Sequence, residues 1–162
     1  MPKILLKTLK SSLNLLIFLF FGTSLVWAAC EDKAEPYVNW ANCDFTGINL
    51  KNKDLSNAVL TGANFDNADF SGAILENSDF NFASLKKARF DGARIVNARF
   101  ISVQGQGASF KNAILENSRF SRSALNNVDF TGVKAANTIF YETRLESAMF
   151  TGANLSKSSF EQ

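Results

Sequence analysis

The side chains in this sequence that could do chemistry are mainly carboxylates, because its 162 residues include no histidine. That absence removes Ser-His-Asp and Cys-His arrangements and the commonest metal ligand. Aspartate recurs directly before apolar residues, where we interpret it as a solvated surface group rather than half of an acid/base pair. No phosphate-binding loop or redox motif is present either. The sequence therefore predicts no enzyme, no cofactor and no metal site. These aspartates are Asp44, Asp54, Asp69, Asp79 and Asp129.

Arginines could instead bind an anion. Arg89, Arg94, Arg99 and Arg119 lie five or twenty residues apart, so that a chain coiling with those periods would bring them into one basic belt. Its partner would be a lipid head group, a polysaccharide or an acidic protein. The alternative is a solvated face on which Asp79 pairs with Arg99. Outward apolar residues could add an interaction surface: Ile74, Val96, Ile101, Ile114, Ile139 and Tyr141.

The elements that position these residues repeat every five residues. From Phe45 to Phe160, 22 of the 24 residues at that spacing are Phe, Leu or Ile, and we call these positions centres. A small residue, usually Ala, stands two positions before every centre except Leu50 and Leu55, which follow Ile48 and Lys53. The run Ala63-Asn64-Phe65 is an example. A period of five fits neither a helix nor an alternating strand. The chain must therefore turn a corner every five residues.

Four such sides would close one coil, so that residues twenty apart stack. At that period, phenylalanine dominates two opposite columns of centres, from Leu50 to Phe150 and from Leu60 to Phe160. The two columns between them are mainly aliphatic. Residues 43–162 would then make six coils, on the order of 29 Å long at the usual inter-strand spacing.

The run from Asp44 to Phe160 resembles the pentapeptide-repeat family, whose consensus is Ala, Asp or Asn, Leu or Phe, and two variable residues. The resemblance implies an all-β fold, a right-handed quadrilateral β-helix, and it is nearly silent on function. The pattern fails at Gly105, where residues 103–107 predict a kink, bulge or loop. Ala135 is a milder defect that could leave a small void.

Residues 1–29 read as a signal peptide. Three lysines precede an apolar run that ends in Ala28 and Ala29, the usual layout of a secretory signal. We expect export to the periplasm or medium, with cleavage after Ala28. The run is also close to the shortest length that spans a bilayer, so a retained membrane anchor is the alternative.

Residues 30–42 are expected to cap the first coil, with apolar surface from Pro36 to Trp40. Cys30 and Cys43 in an exported chain predict a disulfide. The alternative is a lipoprotein, because Ala28, Ala29 and Cys30 resemble the end of a lipobox, although Trp27 fits that motif poorly.

No cap is apparent after the last centre. The final coil would expose apolar side chains at an open edge, which predicts a tail-to-tail homodimer. The residues of this edge are Leu145, Phe150, Leu155 and Phe160.

Two functions remain. The first is an exported, non-enzymatic scaffold whose sides bind an unknown envelope or extracellular partner, either a protein, a polysaccharide or a lipid surface. The second comes from family members that resemble duplex DNA and act on DNA gyrase. The sequence predicts no nucleic-acid partner, because the net charge without the three signal lysines is close to zero.

Overall fold

The computed structural model describes residues 30–161, and they form a coil that repeats every twenty residues. Parallel bridges join each outward residue, the one directly before a centre, to the residue twenty positions later. They run from Asn39 with Val59 to Ile139 with Ser159. Residues 30–161 contain only these isolated bridges, with no longer strand and no helix. The predicted stacking is confirmed, whereas the right hand of the coil stays a prediction.

Corners follow from the backbone two residues after each centre. Every fifth residue from Tyr37 to Lys157 has a φ between 52° and 70°. In most corners the next amide donates to the centre carbonyl, as from Ile48 to Phe45 at 3.1 Å. A positive φ at the second central residue is typical of a type II turn. Glycine fills seven of these positions and asparagine ten, because both tolerate the left-handed region.

Four sides enclose the core, and we number them by their centres. Side 1 carries Phe45 and every twentieth residue after it; side 2 starts at Leu50, side 3 at Leu55 and side 4 at Trp40. Phe70 and Phe90 of side 2 stack with ring centroids 4.8 Å apart. Phe90 meets Phe80 of side 4 edge to face, at 5.8 Å. The two facing phenylalanine columns are therefore confirmed.

Gly105 does not interrupt the coil, so the predicted kink, bulge or loop at residues 103–107 is wrong. Gln104 still bridges to Ser84 below and Ala124 above. The Cδ2 atom of Leu125 lies 2.8 Å from the point where a Cβ of Gly105 would be. The larger side chain of the next coil thus fills the space that the glycine leaves.

Buried hydroxyl groups join successive coils in the C-terminal half. Ser123, two residues before a centre, donates to the carbonyl of Phe100 at 2.6 Å and accepts from the amide of Val103 at 3.1 Å. Thr138 and Thr143 donate in the same way to carbonyls 23 residues earlier. These bonds satisfy buried polar groups that would otherwise be costly to bury.

The regular coil begins before Cys43. Trp40 is 2% exposed at a centre position, and its amide donates to Val59 at 2.8 Å. Its ring lies 4.4 Å from that of Phe45. Residues 37–42, which we expected to belong to the cap, therefore also complete the first coil. The preceding residues 30–36 make no bridge.

Candidate binding surfaces

The five recurrent aspartates shape the chain locally. Each accepts a hydrogen bond from the amide two residues later, as Asp44 does from Thr46 at 3.0 Å. The side-chain and backbone hydrogen bonds from Thr46 hold the pKa of Asp44 below its usual value, and Ser56 does the same for the pKa of Asp54. These carboxylates are therefore charged caps of turns. Sequence reasoning placed them on the surface but missed this role.

Three of the four belt arginines have carboxylate partners. Arg99 pairs with Asp79 of the coil below, as the alternative interpretation of the belt predicts. Arg94 pairs with Glu76. Arg89 lies 3.1 Å from Asp91 and 3.9 Å from Asp69. The arginine side chains are 51 to 57% exposed and their carboxylate partners 18 to 35%. Water screens pairs that are this accessible, so each contributes little to stability, but it does compensate the positive charge of the belt.

Arg119 differs from the other three. It is exposed and stacks directly between Arg99 and Ile139 on side 4, and no carboxylate of residues 30–161 lies within 4.0 Å of its guanidinium. Ile139 is half-buried and Tyr141 is exposed in the same coil. The structure thus brings one uncompensated cation together with apolar side chains that the sequence analysis had treated separately.

Exposed apolar side chains also occur where the sequence analysis did not look. Phe82 is 66% exposed with a φ of 63°, at a corner position that mostly holds glycine or asparagine. Tyr37 is 75% exposed with a φ of 65°. A bulky residue in this region is uncommon. The break in the Asn/Gly pattern at these corners is the sequence signal that could have identified both.

The C-terminal end of the coil is open within the described residues. Phe160 is 41% exposed, while the other three edge centres are half-buried. Seven backbone amides here have no backbone acceptor, although equivalent amides in earlier coils donate to the coil above. They belong to Leu145, Ser147, Phe150, Gly152, Leu155, Lys157 and Phe160.

A disulfide closes the N-terminal end. It joins Cys30 to Cys43, with Cα atoms 5.6 Å apart. Cys43 is 3% exposed and points inward, and Ala34 packs against the core. The segment 30–36 is therefore held against the N-terminal end of the first coil through Cys30 and Ala34.

Other features of the described chain are few. A depression of about 500 Å³ lies beside the open end, lined by residues 142–146. Residues 30–161 include no cluster of side chains suited to a metal ion and no helix that could cross a membrane. The predicted signal peptide, residues 1–29, lies outside the described residues.

Two solved structures with TM-scores above 0.5 share the fold of this chain. Two trypsin-treated variants of QnrB1, a plasmid-mediated fluoroquinolone resistance protein, match with TM-scores of 0.59 and 0.58 at 20% and 22% identity; the matches cover 80% and 78% of this chain and 69% and 66% of QnrB1. A pentapeptide repeat protein of the Arabidopsis thaliana thylakoid lumen matches at 0.38 and 24% identity, over 63% of this chain and 66% of its own. No curated protein matches the sequence significantly. The model of pentapeptide repeats matches eight copies, within residues 41–101 and 106–162. This chain therefore belongs to the pentapeptide-repeat family.

Proposed function

We propose that this chain is an exported, non-enzymatic scaffold that binds an envelope or extracellular partner along its sides. The observation that carries the proposal is the unbroken pairing of residues twenty apart from Asn39 to Ser159. Such pairing holds outward side chains in straight columns, a surface that needs little ordering when a partner binds. The turn-capping role of the recurrent aspartates supports the absence of catalysis.

Export is supported by the basic, apolar and small-residue segments of positions 1–29 and by the Cys30–Cys43 disulfide, since disulfides persist in oxidising compartments. The test is the intact mass of the protein from its native host, before and after reduction and alkylation. A chain that starts at Ala29 and takes up two alkyl groups only after reduction supports a soluble exported rod. A full-length or lipidated chain would mean a membrane-tethered one, and a free thiol on both cysteines with no cleavage would contradict export.

For the side-binding site, the observations favour side 4 around Arg119. Arg119 has no carboxylate partner among residues 30–161, its backbone bridges to Ile139, and the exposed Tyr141 follows two residues later. Arginine and tyrosine are frequent hot-spot residues of interfaces, and the free positive charge calls for an acidic partner. Binding to polyglutamate, a sulfated polysaccharide and anionic lipid vesicles can be compared for Arg119→Ala and for Lys134→Ala, which removes the same charge from side 3. Loss of binding only in Arg119→Ala supports the site. Equal losses in both would mean unspecific attraction.

The open C-terminal edge supports a tail-to-tail homodimer. Pairing two such edges would cover Phe160 and satisfy amides that lack acceptors in the single chain. Light scattering should give the mass of two chains for the unmodified protein and of one chain for Phe160→Glu, which places a charge in the proposed interface. A monomer at micromolar concentration would contradict the dimer.

The alternative function is a DNA-mimic protein that acts on DNA gyrase. Its support is the fold shared with QnrB1, at an identity too low to carry function. Mixed ion pairs such as Arg99 with Asp79 stand on the faces that would need carboxylates. Inhibition of gyrase supercoiling at sub-micromolar protein would favour this function over the exported scaffold, and an absence of inhibition would favour the scaffold.

A further inference from the structure

The two ends of the coil carry complementary sets of unpaired backbone groups. Within the coil, bonds of the first kind run to the carbonyl 19 residues later from the amide of each centre, as from Phe45 to Asn64, and from that of the residue two positions after it. In bonds of the second kind, the amide of an outward residue donates to the carbonyl 21 residues earlier, as from Asp69 to Ile48. The seven free amides of the C-terminal end would donate bonds of the first kind. Bonds of the second kind would use the carbonyls of residues 143, 148, 153 and 158 as acceptors. No backbone amide of the described chain donates to these four carbonyls.

At the N-terminal end the pattern is reversed. Among residues 30–161, four outward amides at this end have no backbone acceptor, and seven carbonyls receive no backbone amide. The amides are those of Asn39, Asp44, Asn49 and Asp54; the carbonyls are those of the same four residues and of Ala41, Thr46 and Lys51. The seven free amides of the C-terminal end thus match the seven free carbonyls of the N-terminal end, and the four free carbonyls of the C-terminal end match the four free amides of the N-terminal end.

The spacings also agree. If a second copy is placed so that its residue n takes the place of residue n + 125, the amide of Leu145 meets the carbonyl of Asn39, and the amide of Asn49 meets the carbonyl of Ala153. All eleven bonds then repeat the spacing found inside the coil. Because 125 residues are six coils and one side, the second copy is turned by a quarter of a revolution. The ring of Phe150 comes to lie under Phe45 of the second copy and continues its column.

We propose that the N-terminal end of the coil is a docking surface for the C-terminal end of a second copy, and that residues 30–36, fastened by Cys30–Cys43, block it. The disulfide holds Cys30 beside Cys43, and Ala34 packs against the same core that Phe45 and Ile48 contact, so the segment occupies the end that a second copy would need. Head-to-tail contact of this kind is heterologous and does not close, so an open end would lead to filaments. The segment held by the disulfide would thus prevent the N-terminal edge of the coil from pairing with another copy.

The proposal rests on the open C-terminal edge that also supports the tail-to-tail dimer, but the two assemblies respond differently to opening the disulfide. A dithiol such as dithiothreitol gives two electrons and two protons to the Cys30–Cys43 bond, which yields two thiols and the cyclic disulfide of the reagent. Light scattering of the exported chain across a concentration series then follows the assembly. We expect the oxidised protein to stay at two chains or fewer, and the reduced protein to gain mass several-fold as concentration rises.

The reduced assemblies should be ordered rods with one copy per roughly 30 Å, from 6.25 coils at an inter-strand spacing of about 4.8 Å. Electron microscopy of negatively stained samples would show the rods, and diffraction from aligned samples would give the repeat. Amorphous particles without this repeat would mean aggregation after partial unfolding and would overturn the proposal.

Asn49→Pro is the matched variant. It removes an amide that has no partner in the single coil, at an exposed edge position where proline is tolerated. It also removes the bond that Asn49 Oδ1 accepts from the amide of Lys51, so Asn49→Ala, which loses only that bond, is the control and should still assemble when reduced. Reduced Asn49→Pro should remain at the mass of the oxidised protein, whereas a tail-to-tail dimer should be unaffected by this change. Filaments that form equally well with Asn49→Pro, or reduced protein that gains no mass, would overturn the head-to-tail contact. If the oxidised protein proved monomeric while the reduced protein still formed filaments, the tail-to-tail dimer would be wrong and the head-to-tail contact would stand.

Discussion

The hydroxyl of Ser123 donates a hydrogen bond of 2.6 Å to the carbonyl of Phe100, one coil below and behind a corner. The same oxygen accepts from the amide of Val103, which elsewhere in the coil would close its own turn. A single buried side chain therefore replaces a turn hydrogen bond with two bonds between coils.

Ser123→Ala should lower the free energy of unfolding by about 1 kcal/mol, the usual net contribution of a hydrogen bond. The loss is not larger because the amide of Val103 can return to the carbonyl of Phe100, as in corners that contain alanine. Urea denaturation followed by circular dichroism would measure it. Ser156→Ala, at an exposed corner, is the control and should change little; equal stabilities for the two variants would contradict the inter-coil bond.

Gly132→Ala should destabilise the coil more than Gly92→Ala. The two glycines share nearly the same φ, 69° and 67°, so the backbone strain of roughly 1 to 2 kcal/mol is common to both. They differ in the stacked neighbour, because Asn112 Oδ1 occupies the space that a Cβ at Gly132 needs and nothing lies within 4 Å at Gly92. Chemical denaturation of both variants gives the difference. An equal loss would mean that Asn112 moves aside freely.

Removing the disulfide with Cys30→Ser and Cys43→Ser together should lower stability by roughly 3 kcal/mol, the chain-entropy estimate for a loop of this size. The expected cause is the freedom that residues 30–42 regain in the unfolded chain. Denaturation of the oxidised protein and of the double variant, both carrying Asn49→Pro so that neither assembles head to tail and both without reductant, measures the change. Ser84→Ala serves as a comparison far from the bond. A double variant as stable as the oxidised protein would mean that the closed loop contributes no stability.

Acid should destabilise the coil below about pH 4. The folded pKa values of Asp44, Asp54 and Asp129 are lowered, those of Asp44 and Asp54 chiefly by hydrogen bonds from Thr46 and Ser56, whereas at Asp129 hydrogen bonds from Thr131 and Lys111 outweigh desolvation. Stability that a depressed pKa supplies is fully present above the unfolded value of about 3.9 and is lost as pH falls through the folded pKa. Thermal unfolding across an acid pH series follows the loss. Asp54→Asn keeps the cap without the charge, so it should show a shallower dependence on pH; a slope equal to that of the unmodified protein would contradict the role of Asp54.

Most of the architecture could be predicted from the sequence because each coil packs only on its neighbours. The five-residue period, the small residues two positions earlier and the phenylalanine columns repeat locally, so one rule describes every side. That rule predicts Phe90 over Phe70 and Arg99 over Asp79 from the sequence alone. The repeat did not predict a partner, because the repeated side chains are explained by the packing and turns of the coil and identify no ligand.

Only the tertiary structure determined the features that depend on contacts between neighbouring coils. Gly105 looked like a break in the sequence, yet Leu125 fills its place from the next coil, because a packed interior is judged by volume rather than by residue type. Trp40 belonged to no visible repeat in the sequence, yet in the folded chain its ring packs against that of Phe45 at a tilt of 43°. The sequence by itself determined the period and the core, through side-chain size and polarity. Which charges are compensated, which amides stay free at each end and what covers them depend on distances between coils, and only the folded chain sets those.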